Sequence, residues 1–173
     1  MKTKRTPCQA SLIALLLAGV VIFVASPTHL DGQDANSRFS PDVNDLLAKR
    51  AALASDGDDY HKILQSLGTS SPNFGLETDI LNYANTGTEM TGDALWFLGL
   101  YQSMQCEPDR IAAKGALKNR LDFYSHVLGL EGGLIPNDLA YEKSLAMTQA
   151  GFRIRDDLRA AKDKMDAINA SLK

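Results

Sequence analysis

Cysteine, basic charge and long apolar runs are scarce in this chain, and each scarcity excludes a class of protein. Only two cysteines occur, Cys8 and Cys106, and no CxxC or CxxCH motif is present, so thiol redox chemistry and c-type haem attachment lack their motifs. Six prolines and thirteen glycines exclude a collagen-like or low-complexity chain. With 45% apolar and 23% charged residues, the 173-residue chain has the composition of one ordinary globular domain.

The chain after position 26 has fewer basic residues than a nucleic-acid-binding protein would need. The three basic residues before position 27 (Lys2, Lys4 and Arg5) leave 15 basic against 21 acidic residues in the rest of the chain, a net charge of −6. A negative domain is repelled by phosphate backbones, so we expect no nucleic-acid partner.

The one long apolar run lies directly behind these positive charges. Residues 12–25 (LIALLLAGVVIFVA) contain no polar side chain. A cationic start followed by an apolar stretch of this length is typical of a secretory signal, whereas a free-standing membrane helix prefers about 20 residues. We therefore predict a signal peptide in residues 1–26. Its cleavage site is ambiguous, so an uncleaved N-terminal membrane anchor remains the alternative.

Either outcome exports the remaining chain, because the positive start stays inside. We expect a periplasmic or secreted protein, or one anchored in the membrane through residues 12–25 alone. Residues 27–39 are polar and unpatterned and predict a flexible tether, and residues 40–173 predict an all-helical domain. After cleavage Cys106 would be a lone cysteine, for which a small buried side chain is the expected role.

Apolar residues recur at helical spacing throughout residues 40–173, and no stretch alternates with period two. The pattern predicts an all-α fold, a bundle of about five to six helices. Breaks are expected at residues 55–57, at residues 85–87 and from Gly129 to the helix cap at Asn137. The stretch from Thr88 or Thr91 to Met104 is apolar on nearly every side and predicts a central core helix.

The last predicted helix, residues 138–172, carries a seam with a period of 3.5 residues. If unbroken it would extend about 50 Å, against about 30 Å for the helix before it, so the bundle is expected to end in a long antiparallel helical hairpin with an overhang. Either the first helix, residues 41–54, or a second chain must cover the overhang. The candidate partner-binding residues on this seam are Ile154, Leu158, Met165, Ile168 and Leu172.

Candidate catalytic residues are few. Glu89 and Asp93 lie one turn apart, and burial beside Trp96 and Phe97 would separate their pKa values as an acid–base pair requires. Favourable interaction with a helix dipole explains the same carboxylates without catalysis. His126 is a candidate base, or equally a partner for a helix C-terminus.

Metal and cofactor motifs are missing from the sequence. The acidic group Asp56, Asp58 and Asp59, next to His61, lacks the layout of a calcium-binding loop. No Glu-x-x-His, HExxH, GxSxG or P-loop motif occurs. We therefore expect no metal site and no cofactor.

These observations favour an exported small helical protein that acts by protein–protein contact, as an inhibitor, an immunity-type protein or a scaffold module. Its expected partner is another protein, or a second copy, bound through the C-terminal helix. The alternative is an envelope glycan or cell-wall hydrolase that uses Glu89 or Asp93 as its acid–base residue. A bundle that binds a small ligand among its aromatic side chains is a third possibility.

Overall fold

The computed structural model describes residues 41–68, 73–104 and 106–172, and this part of the chain is an all-α bundle without β-strands. The predicted fold class is thus confirmed, but the described residues form four helices rather than five to six. The predicted signal peptide and tether (1–26 and 27–39) lie outside the described residues. The four helices are α1 (Pro41–Leu67), α2 (Phe74–Ser103), α3 (Glu107–Asp138) and α4 (Leu145–Ser171).

Each helix packs antiparallel to the next, and α4 returns to pack on α1, which closes an up-down-up-down four-helix bundle. The antiparallel order follows from side-chain contacts, since residues late in one helix meet residues early in its neighbour. The contacts that join neighbouring helices include Arg50–Thr88, Phe97–Arg120, Lys118–Leu172 and Lys164–Asp42.

Two predicted breaks, at residues 55–57 and 85–87, are wrong because their glycines serve helix packing. A Cβ atom on Gly57 would lie 3.2 Å from the Cβ of Ala84, and one on Gly87 would lie 2.4 Å from Cδ2 of Leu158. Both glycines are buried inside continuous helices. The cost of glycine in a helix is therefore offset by the close approach of α1, α2 and α4.

The boundary between the last two helices also differs from the prediction. Helix α3 continues through Gly129 to Asp138, and α4 begins at Leu145 rather than directly after Asn137. The side-chain oxygen of Ser144 caps α4 by accepting a hydrogen bond from the backbone N–H of Met147, at 3.3 Å. The two helices have 32 and 27 residues, so they form an antiparallel hairpin of nearly matched lengths without the predicted overhang.

The core is built from apolar side chains of all four helices. Helix α1 covers the seam of α4, which was the first of the two arrangements considered from the sequence. None of the described helices has an apolar stretch long enough to cross a membrane. The fully buried larger side chains include Leu46, Leu53, Tyr60, Ile80, Leu121, Leu128, Ile135, Met147, Ile154, Leu158 and Met165.

Candidate functional site

The residues predicted to bind a partner on the last helix lie in the core. Ile154, Leu158 and Met165 are fully buried and Ile168 is 2% exposed, while Leu172 is half-buried against the same cluster. The seam of α4 holds the bundle together, so a partner cannot reach it without opening the fold. A contact surface on the folded protein must lie elsewhere.

Several large apolar side chains on the outer sides of α2 and α3 are left in solvent. Trp96 on α2 is 57% exposed, and on α3 Phe123, Leu130 and Leu134 are 57%, 56% and 45% exposed. We call these four residues, together with the half-buried Val127, the α2–α3 face. Sequence analysis placed Trp96 in the core and did not identify the other four.

Helix α3 carries two apolar seams, one on each side. The inner seam includes Leu117, Leu121, Tyr124, Leu128 and Ile135, all buried. The outer seam consists of Phe123, Val127, Leu130 and Leu134, spaced four, three and four residues apart, so it has the 3.5-residue period of a helix–helix contact. A sequence signal for the outer seam therefore exists, but a predicted helix end at Gly129 divides it in two.

Contacts between α2 and α3 position the aromatic end of this face. Trp96 packs edge-on against Phe97, with ring centroids 4.7 Å apart. The guanidinium of Arg120 lies over the Phe97 ring, 3.8 Å from its centroid. Its Nη1 atom donates to the hydroxyl of Tyr124, which donates to Oδ2 of Asp93, each at 3.4 Å. Trp96 and the start of the outer seam thus belong to one contiguous cluster.

The surroundings of the α2–α3 face are acidic. Helix α2 contains four acidic and no basic residues, and three of its carboxylates, Asp79, Glu89 and Asp93, are exposed. On α3, no lysine or arginine follows Arg120. The electrostatic potential beside the outer seam is therefore negative, which favours a positively charged partner.

The three candidate catalytic residues do not form one site. Glu89 and Asp93 are both exposed, so the burial beside Trp96 and Phe97 that an acid–base pair would need is absent. His126 is also exposed and lies two residues after Tyr124, about 200° round α3 from the side that meets Asp93. Asp93 accepts a hydrogen bond from a phenol, and Glu89 and His126 face solvent.

Among the carboxylates whose pKa the fold raises are two that sequence analysis did not single out. Burial raises the pKa of Glu131, on α3, to about 7. Burial, and then the charge of Asp56 across the α1–α4 contact, raise the pKa of Asp157 to about 6. The positive charge of Arg153, which donates to Oδ1 of Asp56 at 3.2 Å, partly offsets this rise. Their burial depends on neighbouring helices, so helical periodicity alone does not reveal it.

A group of acids also surrounds Tyr60 at one end of the bundle. Tyr60 is fully buried, and its hydroxyl has no hydrogen-bond partner in the structure. Burial, followed by the charges of Glu77, Glu142 and Asp138, raises the pKa of this phenol well above its usual range. The hydroxyl therefore stays protonated at physiological pH.

No group of three or more His, Cys, Asp or Glu side chains within the described ranges is arranged to hold a metal ion. The acidic stretch near His61 instead forms separate pairs. Asp59 accepts from Lys62 at 2.9 Å, Asp56 accepts from Arg153, and the ring of His61 bonds to the side chain of Gln65 at 2.7 Å.

Cys106 is the N-cap residue of α3 and is half-buried. Its side chain is therefore less buried than sequence analysis expected.

Comparisons of the chain with protein-family models, with curated proteins and with solved structures find no match.

Proposed function

We propose that this protein is an exported helical module that acts by protein–protein contact through the α2–α3 face, as an inhibitor, an immunity-type protein or a scaffold. The outward-facing seam of α3, with Trp96 beside it, is the observation that carries the proposal. Export is proposed from the cationic start and the apolar run of residues 12–25.

The exposed side chains of this face add little to the stability of the fold, but their burial would add free energy to a complex. Burying a leucine or phenylalanine side chain fully is worth about 1.5–3 kcal/mol, and more than half of Phe123 and Leu130 is still in water. Tryptophan, tyrosine and arginine are the residue types that dominate binding energy at protein interfaces. Trp96 and Arg120, which both pack on Phe97, lie at one end of the α2–α3 face.

The charge of the face selects the class of partner. Asp79, Glu89 and Asp93 line its α2 side without a basic residue on that helix. The partner is therefore a protein that presents an apolar surface bordered by lysine or arginine, such as the basic cleft of an enzyme. In this interpretation Glu89 and Asp93, the two carboxylates of the hydrolase alternative, set binding specificity and association rate.

Site-specific photocrosslinking of the full chain in its source cells tests the proposal. A photoreactive residue is placed at Phe123 or at Leu130, and a matched control is placed at Leu47, a 51% exposed leucine on α1. Helix α1 is diagonally opposite α3 in the bundle, so the control probes a different surface.

We expect one heterologous protein to crosslink from both test positions and not from Leu47. Adding Leu130→Glu should abolish the crosslink from Phe123, because it puts a charge into the seam. The proposal fails if neither position yields a specific crosslink, or if the Leu47 control captures the same protein with equal yield.

A further inference from the structure

We infer that the partner element on the α2–α3 face is an amphipathic helix whose flank carries positive charge. The inference rests on the proposed function and adds the shape and charge of the bound segment.

The spacing of the outer seam favours a helix. From Phe123 to Leu134 the seam rises about 16 Å, or three turns, and keeps the alternation of four and three residues that knobs-into-holes packing requires. A strand, with a side-chain period of two and about 3.3 Å per residue, does not match this repeat. The inner seam of α3 is an example of such a helix–helix contact, because other helices of the bundle pack against it.

Trp96 extends the surface sideways onto α2. Two packed helices leave a shallow groove between their outer sides, and an amphipathic helix laid in such a groove contacts both. Trp96 stands on the α2 side of this groove, held by Phe97, and Phe123 stands on the α3 side, packed at 5.9 Å between ring centroids against Tyr124. A helix in the groove would bury both aromatic side chains at once.

The acids on α2 fix the charge of the bound helix. Asp79 and Glu89 are ten residues apart, about 15 Å along α2, and Asp93 follows one turn later. Asp93 meets Tyr124 beside the start of the outer seam, and Asp79 lies near Asp138, past its other end. Among the described residues, the cation Arg120 lies near the face, over Phe97 at the end of the seam. Lysine or arginine on the partner should therefore face the row from Asp79 to Asp93.

The same charges argue against a second copy as the occupant. The described residues of this chain are acidic, and pairing two α2–α3 faces brings two rows of carboxylates into one interface. Like charges at such an interface cost free energy and exclude wrong partners. A heterologous, cationic helix avoids this cost.

Intrinsic fluorescence provides a direct test, because Trp96 is the single tryptophan of the chain and lies on this face. The full chain is titrated with a tryptophan-free helical peptide of about 20 residues that has a leucine seam and lysine flanks. Matched peptides carry glutamate flanks, or lysine flanks with a central proline that breaks the helix.

We expect the lysine-flanked peptide to shift the emission of Trp96 to shorter wavelength and to saturate. The glutamate peptide should bind at least about tenfold more weakly, and the proline peptide should lose binding. In the protein, Leu130→Glu should weaken the response and Leu47→Glu should not.

Equal binding of the glutamate peptide would overturn the charge assignment, and equal binding of the proline peptide would overturn the helix. The absence of any response, or a Trp96 emission that depends on protein concentration alone, as self-association would cause, overturns the inference as a whole. Crosslinking from Phe123 and Leu130 to a heterologous protein would still support the proposed function in each of these cases, so the two failures are distinguishable.

Discussion

Arg120 on α3 lies over the ring of Phe97 on α2, with its guanidinium carbon 3.8 Å from the ring centroid. The positive charge is attracted to the electron-rich face of the ring, and the planar group also packs on it. Because Phe97 in turn supports Trp96, this one pair fixes the aromatic end of the α2–α3 face relative to both helices.

Replacing Arg120 with methionine should reduce the free energy of unfolding by about 0.5–1 kcal/mol, since the contact is at an exposed site. Urea unfolding followed by circular dichroism measures this change. Arg159→Met on α4 is the control, because Arg159 is also exposed and lies on another side of the bundle. Equal losses in both variants would show that the Phe97 contact contributes nothing.

Gly87→Ala should destabilise the bundle by about 1–3 kcal/mol through overpacking. The added methyl group would lie 2.4 Å from Cδ2 of Leu158 and 2.7 Å from Cδ2 of Leu53, which are both fully buried. Gly99→Ala on the same helix is the control. A Cβ atom at Gly99 meets nothing within 4 Å, so the better helix propensity of alanine should stabilise by up to about 1 kcal/mol. Opposite signs in thermal unfolding are expected, and a stabilising Gly87→Ala would contradict the packing.

Leu158→Ala should cost about 2–5 kcal/mol, because Leu158 is a core residue and not a surface contact. The double variant of Gly87→Ala and Leu158→Ala lacks the Cδ2 atom of Leu158 that would lie closest to the added methyl group. Its loss of stability should therefore be smaller than the sum of the two single losses. A double-mutant cycle from urea unfolding measures this coupling, for which about 0.5–3 kcal/mol is usual between touching residues. Strictly additive losses would show that the two residues do not meet.

The all-α fold class and the apolar seam of α4 could be predicted from the sequence, because both depend on local periodicity. The ends of helices could not. Gly87 resembles a turn residue in the sequence, and its role is set by Leu53, Leu128 and Leu158, which come from three other helices. The residues around position 87 give no indication that these three leucines pack there.

The candidate site was missed for a related reason. Helix α2 is apolar on nearly every side, so its sequence does not show which side faces water, and tertiary packing leaves Trp96 outside. On α3 the outer seam was readable only if the helix continued past Gly129. Residues Leu130 and Leu134 join Phe123 on one side only in the unbroken helix.

Glu131 makes the stability of the protein depend on pH. Burial raises its pKa from the ordinary 4.5 to about 7 in the folded chain, and its Oε2 atom is buried without a hydrogen-bond partner. As pH rises through this window, the unfolded chain loses the proton first, so the folded chain binds more protons. The contribution of Glu131 to the free energy of unfolding therefore falls between pH 4.5 and pH 7, and the loss is complete above pH 7.

Glu131→Gln should remove this loss, because an amide has the same shape and no proton to release. The stability of the variant relative to the unchanged protein should be greater above pH 7 than below pH 4.5, as measured by urea unfolding across that range. Glu89→Gln is the matched control, since Glu89 lies exposed on the neighbouring helix α2. If the two variants give parallel profiles, the carboxyl of Glu131 is solvated in solution and burial does not control its titration.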